Sequence, residues 1–149
     1  MRAIVQRVDQ ASVDSTVDGV STRVGEIGPG LLVLVGVTHT DTEQAAVKLA
    51  DKIWNLRIMS DAEGVMNLSV ADTTRNILIV SQFTLYGDTS GGRRPSWIAA
   101  AKPEVAEPLV TKVIEELRRL GAHVETGRFR TDMKVALVND GPVTVTIET

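Results

Sequence analysis

Two short segments, far apart in the chain, carry the residue types best able to do chemistry. The first is Ser81-Gln82-Phe83-Thr84-Leu85, and the second is Asn139-Asp140-Gly141-Pro142-Val143-Thr144. Each places small polar side chains and exposed backbone at the end of a predicted strand. Neither contains a strong base, a cysteine or a cluster of metal ligands. If the two segments meet, they predict a site of main-chain groups and hydroxyls, which is suited to recognising shape and handedness.

The first segment offers the hydroxyl groups of Ser81 and Thr84, which could donate hydrogen bonds to a carbonyl or an oxyanion. The alternative is structural, with Ser and Thr ending a strand and Gln82 facing solvent. A hydroxyl nucleophile needs an activating base, and the histidines His39 and His123 are both distant in sequence. The pattern disfavours a Ser-His-Asp hydrolase and leaves the other two interpretations open.

The second segment also has two interpretations. Asn-Asp-Gly is typical of a tight turn between two strands, and a proline can begin the second strand. Alternatively the Gly141–Pro142 bond is cis, which costs an X-Pro bond only about 0.5–1 kcal/mol. Two adjacent carbonyls would then point the same way. They would form a rigid wall that blocks one hand of a chiral substrate.

A third segment, the loop at 86–96, contains the adjacent arginines Arg93 and Arg94. Arginine pairs well with phosphate, so this loop predicts either a nucleic-acid contact or an ordinary solvated basic loop. The chain has a formal net charge of −3, whereas a protein that wraps nucleic acid usually has a basic field. Any such contact is therefore expected to be small and local.

The composition narrows the choices further. The 149 residues fit one domain. The absence of cysteine excludes disulfides, thiolate catalysis and Cys-ligated zinc, and the two separated histidines disfavour a protein-built metal site. No apolar run reaches about 18 residues, and no signal-like apolar region follows Met1. We expect a soluble cytoplasmic protein with no metal, no cofactor and no membrane partner.

The elements that must position these segments are strands and two helices. Strands are predicted over 2–8, 31–37, 76–83, 122–126, 133–138 and 143–147, with a hairpin over 12–24 that turns at Asp18-Gly19. The first helix is expected to have a capping box, with Thr40 as N-cap and Glu43 reaching back. The second covers roughly 105–120, with Pro108 in its first turn and Gly121 just beyond its end. This order predicts one mixed α/β domain.

Together these motifs resemble those of the D-aminoacyl-tRNA deacylases, also called D-tyrosyl-tRNA deacylases. The resemblance covers almost the whole chain, and one departure is a polar segment at 13–23 that is a few residues longer than usual in the family. That departure should lengthen a hairpin tip and leaves the pocket motifs intact. The matching segments are 6–8, 11–13, 25–31, 48–53, 55–58, 66–70, 81–86, 92–96, 124–127 and 139–144.

The resemblance implies a fold and an activity. The fold is a single-domain, three-layer α/β arrangement of two β-sheets covered by two main helices, and the active unit is a homodimer. The activity is hydrolysis of the ester that joins a D-amino acid to the 3′-terminal adenosine of tRNA. Glycine mischarged on tRNA-Ala is also removed, and L-aminoacyl esters are spared. The acceptor end of tRNA is the implied partner, and neither DNA nor a membrane is expected.

The resemblance also implies residue roles. Gly141 and Pro142, joined by a cis bond, would enter the partner's pocket and exclude an L side chain by their carbonyls. Thr84 is the natural candidate nucleophile. The resemblance, however, implies RNA-assisted catalysis, in which the 2′-hydroxyl of the terminal ribose helps to activate water. One pocket wall would be Ser81, Gln82, Phe83 and Thr84, supported by Asn139, Thr144 and Met133, while Arg7, Arg93 and Arg94 are candidate tRNA contacts.

Two other functions remain open from the residues alone. A hydroxyl-nucleophile esterase for small D-amino acid esters would form a covalent acyl group on Thr84. A non-catalytic dimeric module would bind tRNA acceptor ends without turnover, although the low net charge disfavours tight binding of this kind.

Overall fold

The computed structural model describes residues 1–73 and 75–149. Two α-helices and eight β-strands are found in these residues, together with a 3₁₀ turn at Phe83–Tyr86. The helices are α1 (Glu43–Trp54) and α2 (Pro103–Arg119), and the strands are β1 (Arg2–Val17), β2 (Val20–Ile27), β3 (Gly30–Gly36), β4 (Met59–Ser60), β5 (Met66–Leu68), β6 (Asn76–Ser81), β7 (Val124–Thr126) and β8 (Asp132–Glu148).

The long strand β1 organises a six-stranded sheet. One edge of β1 pairs antiparallel with β8, and its other edge pairs first with β3 and then with β2. The sheet continues in parallel from β3 to β6 and from β6 to β7. Strand β2 lies over this far side, because a Cβ atom on Gly25 would be only 2.8 Å from the carbonyl oxygen of Thr126. The sheet therefore curls and nearly closes.

Two separate cores explain why β3 is apolar at almost every position. Leu31, Val33 and Val35 point into the core under the helices, while Leu32 points into the core inside the curled sheet. A strand with a core on each face must be apolar on both, as the uninterrupted run predicted. The helix core is completed by the apolar faces of α1 and α2, which include Ala46, Leu49, Ala50, Ile53, Leu109, Val113 and Leu117.

The predicted mixed α/β class with two helices is confirmed, and the two sheets found in the described residues are very unequal in size. Strands β1 and β8 continue through both halves of the molecule, so the layers belong to one curled sheet. The separate second sheet is small and contains only β4 and β5. No helix in the described part of the chain is long and apolar enough to cross a membrane.

Two predictions of helix starts are wrong by a few residues. The N-cap of α1 is Thr42, whose hydroxyl accepts from the N–H of Ala45 at 3.3 Å, and not Thr40. Helix α2 begins with Pro103, so Pro108 lies inside the helix, beyond the first turn. A proline suits the first helical position because its N–H is not needed there, and the chain offered two prolines for that position.

Two predicted turns are confirmed by their backbone angles. Asp18 and Gly19 have φ values of 50° and 77° at the tip of the β1–β2 hairpin, as a tight Asp-Gly turn requires. Gly121 has a φ of 105° just beyond α2. Glycine reaches this region without the steric cost that other residues incur.

Candidate active site

The first chemical segment lies where β6 ends. β6 stops at Ser81 rather than at residue 83, and the chain turns into the 3₁₀ turn. The N–H of Gln82 donates to the carbonyl of Val35 at 2.7 Å, and the N–H of Leu85 donates to the carbonyl of Gln82 at 3.2 Å. The turn is thus held against β3 by its own backbone, and it presents its side chains at the edge of the sheet.

Two aromatic rings form one wall beside this turn. The rings of Phe83 and Trp97 meet edge to face, with centroids 5.7 Å apart and planes at 73°. Gly87 allows this approach, because a Cβ atom there would lie 2.3 Å from Cζ3 of Trp97. Phe83 is 57% exposed and Trp97 is 43% exposed. The rings therefore leave apolar surface open to a ligand.

These rings border a cavity of about 390 Å³ between the turn, the start of α2 and the loop before β8. The cavity contains three of the five aromatic residues in the chain, namely Phe83, Trp97 and Phe129. The complete lining is Val35, Val37, Ser81, Gln82, Phe83, Trp97, Ala100, Ala101, Pro103, Ala106, Val110, Phe129, Arg130, Thr131 and Met133.

The cavity brings together some of the predicted site residues. Ser81, Gln82, Phe83 and Met133 line it, although Met133 is distant in sequence from the other three. Thr84 is not part of the lining, and its hydroxyl accepts a hydrogen bond from the side-chain amide of Gln82. Thr84 therefore holds the Gln82 amide through its hydroxyl.

Among the described residues that line the cavity, Arg130 is the one side chain with a formal charge. His39 instead contacts the carbonyl of Ile98 at 2.8 Å, and His123 pairs with Glu125 at 3.3 Å. Burial raises the pKa of the Tyr86 phenol at the end of the turn, so this group stays protonated at neutral pH. The cavity can therefore hold and polarise a bound group, but its side chains offer no evident general base.

The second chemical segment is a bulge within β8 and not a turn between two strands. Gln6 of β1 lies opposite Thr144, and Val8 lies opposite Asn139, so the single residue Arg7 faces four residues of β8. The extra residues leave the ladder, and Gly141 and Pro142 among them are exposed. The bond between these two residues is cis, as the resemblance implies. Neither residue lines the cavity of its own chain.

Arg7 supports this bulge from within and does not fit the prediction of a tRNA contact. It is only 7% exposed, and its Nη1 donates to the carbonyl of Ile58 at 2.7 Å. Its Nε lies 2.7 Å from the Oδ2 of Asp140, with the carboxylate off the N–H direction, so the contact is an ion pair. A buried guanidinium with these partners is not available to a phosphate.

The amide of Asn139 completes the support of the bulge. Its Nδ2 donates to the carbonyl of Arg7 at 2.8 Å and to the carbonyl of Val143 at 3.2 Å. Beyond the bulge, the Thr144 hydroxyl accepts from the Gln6 amide at 3.2 Å. Asn139 and Thr144 therefore hold the backbone around Gly141 and Pro142, and neither residue lines the cavity.

Comparison with known proteins assigns the family. The family model described as D-Tyr-tRNA(Tyr) deacylase matches residues 4–148. The chain belongs to this family. A relative from Thermobifida fusca (strain YX), named D-aminoacyl-tRNA deacylase, is 59% identical over 149 residues, which are 99% of each chain. The resemblance in the sequence is thereby confirmed, and the chain is an enzyme of the D-aminoacyl-tRNA deacylase type.

Solved structures of similar chains agree with this fold. A c-Myc DNA unwinding element binding protein superposes with a TM-score of 0.90 at 38% identity, covering 100% of this chain and 99% of that chain. A probable eukaryotic D-amino acid tRNA deacylase superposes with a TM-score of 0.84 at 17% identity, covering 99% and 98%. The second likeness shows the fold alone.

Arg93 and Arg94 of this deacylase-family chain lie exposed in the loop after the 3₁₀ turn. Asp88 and Ser96 close the loop through backbone hydrogen bonds of 2.8 and 2.9 Å. The N–H of Ser90 donates to the Asp88 carboxylate at 2.9 Å and is the main reason why the pKa of Asp88 is lowered. The loop is thus ordered at its base, and the phosphate contact by the two arginines stays a prediction.

Several lining residues stand outside the motifs singled out in the sequence. They are Trp97, Phe129, Arg130 and Thr131, none of which was predicted to belong to a site. One available signal is the scarcity of aromatic residues, which make up 3% of the chain. With only five aromatic residues in the chain, the three that the fold gathers at this cavity make it the candidate binding surface.

Proposed function

We propose that this protein hydrolyses the ester between a D-amino acid and the 3′-terminal adenosine of tRNA, and that it also removes glycine mischarged on tRNA-Ala. The observation that carries this proposal is the cavity in which Ser81, Gln82 and Phe83 lie beside further aromatic side chains, without a carboxylate or imidazole among the described lining residues. Such a cavity favours a mechanism in which the protein positions the ester for attack over a mechanism that depends on a side-chain base.

The terminal adenosine is the part of the substrate that fits the cavity. The faces of Phe83 and Trp97 are partly open, and stacking of one base on an aromatic ring contributes about 1–3 kcal/mol. A volume of about 390 Å³ is in the range of small-molecule pockets. The low aromatic content elsewhere and the net charge of −3 agree with a protein that holds only the acceptor end.

The chemistry depends on positioning and on the substrate itself. Backbone N–H groups of the 3₁₀ turn and the Gln82 amide stabilise the oxyanion that forms when water attacks the ester carbonyl. The 2′-hydroxyl of the terminal ribose helps to activate this water, because no lining side chain takes that role. Thr84 enters only through its hydrogen bond with Gln82. An acyl group on Thr84 is not part of this mechanism.

Selection of the D ester takes place across a homodimer. Gly141 and Pro142 are exposed and do not line the cavity of their own chain, so they act in the site of a second chain. Their carbonyls exclude an L side chain. Glycine passes, because steric exclusion cannot reject a substrate that has no side chain. The exposed apolar residues Leu137 and Val138, just before the bulge, favour the same association.

The test is deacylation of paired D- and L-tyrosyl-tRNA by the purified protein, without added metal. Release of tyrosine from the D form alone is the expected result, with glycyl-tRNA-Ala also cleaved. Release from neither form, with tRNA still bound, would favour the non-catalytic binding module. Release from both forms would show that Gly141 and Pro142 do not exclude the L ester. Because the substrate is a tRNA, we infer the cytoplasm as the place of action.

A mixed dimer tests whether the gate acts across subunits. Pro142→Ala removes the ring that fixes the adjacent carbonyls, and this variant is expected to cleave the L ester. A large excess of Gln82→Ala chains then places each Pro142→Ala chain in a mixed dimer. If the gate acts across subunits, the site that retains Gln82 regains an intact Gly141–Pro142 from its partner, and cleavage of the L ester falls. Unchanged L cleavage would place the gate within one chain.

A further inference from the structure

Arg130 combines a charge and an unusual backbone conformation at the mouth of the cavity. It has a φ of 58°, in the left-handed region, and is one of two residues other than glycine described with a positive φ. The other is Asp18, where a tight hairpin turn explains the angle. Arg130 also lies in a turn, at residues 129–130, but unlike aspartate it has no short polar side chain that favours the left-handed region.

The loop around Arg130 is held on both sides, so its angle is not that of a loose tip. Before it, the N–H of Gly127 donates to the carbonyl of Ile79 at 2.9 Å. After it, the Thr131 hydroxyl donates to the carbonyl of Arg128 at 2.9 Å and lies 2.8 Å from the hydroxyl of Ser15. Within this fixed loop, Phe129, Arg130 and Thr131 all line the cavity.

The conformation has a cost that glycine would avoid. For a residue with a Cβ atom, the left-handed backbone conformation is about 1–2 kcal/mol higher in energy than the right-handed helical conformation. Residues held in this way occur preferentially at functional sites, where the surrounding structure imposes the angle. A charged side chain at this position therefore destabilises the fold slightly while placing a cation where the ligand enters.

We propose that Arg130 binds the phosphate on the 5′ side of the terminal adenosine, which makes it a substrate-binding residue of this chain. This rests on the proposed function, which places the terminal adenosine in the cavity. A nucleotide in the cavity brings that phosphate to its mouth, where the exposed guanidinium lies without a described ion-pair partner. Arginine binds phosphate through two parallel hydrogen bonds. Arg130 thus gives this protein, whose net charge is −3, a local positive charge for contact with the tRNA.

Three substitutions separate charge from backbone conformation. Arg130→Gln keeps a side chain with the left-handed angle but removes the charge. Arg130→Gly removes both. Arg128→Gln is the matched control, because Arg128 is exposed in the same loop but does not line the cavity.

Binding of deacylated tRNA (tRNA without an amino acid) to each dimer is measured as a function of salt concentration. Arg130→Gln should weaken binding about tenfold and reduce the salt slope by about 0.7, the value for one phosphate on a single strand. Arg130→Gly should show the same loss of affinity with a higher melting temperature than the wild type. Arg128→Gln should match the wild type in affinity and slope.

An unchanged affinity and slope in Arg130→Gln would overturn the proposal. A variant that dissociates to monomers in sedimentation would also overturn it, because Arg130 would then act at the subunit interface. These outcomes are distinct from failure of the proposed function, which is judged by whether the wild type cleaves D-tyrosyl-tRNA. The binding measurement needs no turnover.

Discussion

The Nε of Arg7 and the Oδ2 of Asp140 lie 2.7 Å apart, and this ion pair joins the first strand to the bulge that carries Gly141 and Pro142. Arg7 is buried, whereas the Asp140 side chain is 37% exposed. The cost of losing the pair therefore depends on which partner is removed. When Arg7 is replaced, water can solvate the exposed carboxylate of Asp140, but the carbonyl of Ile58 loses its hydrogen-bond donor.

Replacement of the exposed partner should destabilise the fold more than replacement of the buried one. Asp140→Asn leaves the buried Arg7 guanidinium without a counter-charge and should lower the free energy of unfolding by about 3 kcal/mol, measured by urea titration. Arg7→Met is the matched variant and should cost about 1–2 kcal/mol, because it removes the buried charge and leaves only the carbonyl of Ile58 without its donor. A larger loss for Arg7→Met would contradict this account. The salt dependence of tRNA binding should not change in either variant.

Thr84 should contribute much less to turnover than its hydrogen-bond partner Gln82. Thr84→Ala removes a hydroxyl that is tied to Gln82 and does not line the cavity, so substantial D-tyrosyl-tRNA deacylase activity should remain. Gln82→Ala should reduce kcat by about 10²–10³-fold, as removal of an oxyanion donor does elsewhere. Single-turnover kinetics with mass spectrometry provide the measurement. An acyl adduct on Thr84 would support the nucleophilic esterase instead.

The contact between Gly87 and Trp97 should be needed for substrate affinity. Gly87→Ala would place a Cβ atom 2.3 Å from the indole, so the ring must move away from Phe83. If the terminal adenosine stacks on the aromatic wall, as proposed, loss of about 1–3 kcal/mol of stacking should raise KM for the aminoacyl-tRNA roughly 5- to 150-fold. Gly91→Ala lies in the same loop but has no atom within 4 Å of the added Cβ, so it should keep the wild-type KM. Equal effects of both changes would exclude the wall from binding.

The pair of Glu116 and Arg119 at the end of α2 should make stability depend on pH. Hydrogen bonds from the Arg119 guanidinium, the shortest at 2.6 Å, lower the pKa of Glu116 below its usual 4.5. A carboxylate with a lower pKa in the folded state stabilises the protein above about pH 4.5, and this contribution disappears as the pH falls. The Arg119→Gln variant should therefore differ most from the wild type at about pH 7, and the difference should shrink as the pH falls below 4.5. Urea unfolding at a series of pH values tests this, and a constant difference would contradict it.

Local chemistry determined the turns and the apolar elements. Asp18-Gly19 and Gly121 could be predicted because few residues adopt a positive φ, and Leu31 to Val37 could be predicted as a strand with two covered faces. The helix starts were less certain, because Thr40 and Thr42 are both good caps and Pro103 and Pro108 both suit a first turn. The chain cannot choose between such neighbours until the helix packs.

The family motifs named several residues that the fold brings together. Ser81, Gln82, Phe83 and Met133 line one cavity, and their role there stays a prediction. Arg7, predicted as a candidate tRNA contact, is buried instead. An arginine in a strand is compatible with either a phosphate or a buried partner. The partner here is Asp140, which lies 133 positions away, so no local pattern reveals it.

The sequence by itself therefore determined the α/β class, the strand end that carries Gln82 and the family to which the chain belongs. Tertiary structure alone decided that β8 bulges opposite Arg7, that Trp97 and Phe129 join Phe83, and that Arg130 stands at the entrance of their cavity. The physical reason is the range of the forces involved. Propensity and turn geometry act over a few residues, whereas burial and ion pairing depend on contacts between segments that only the folded chain brings together.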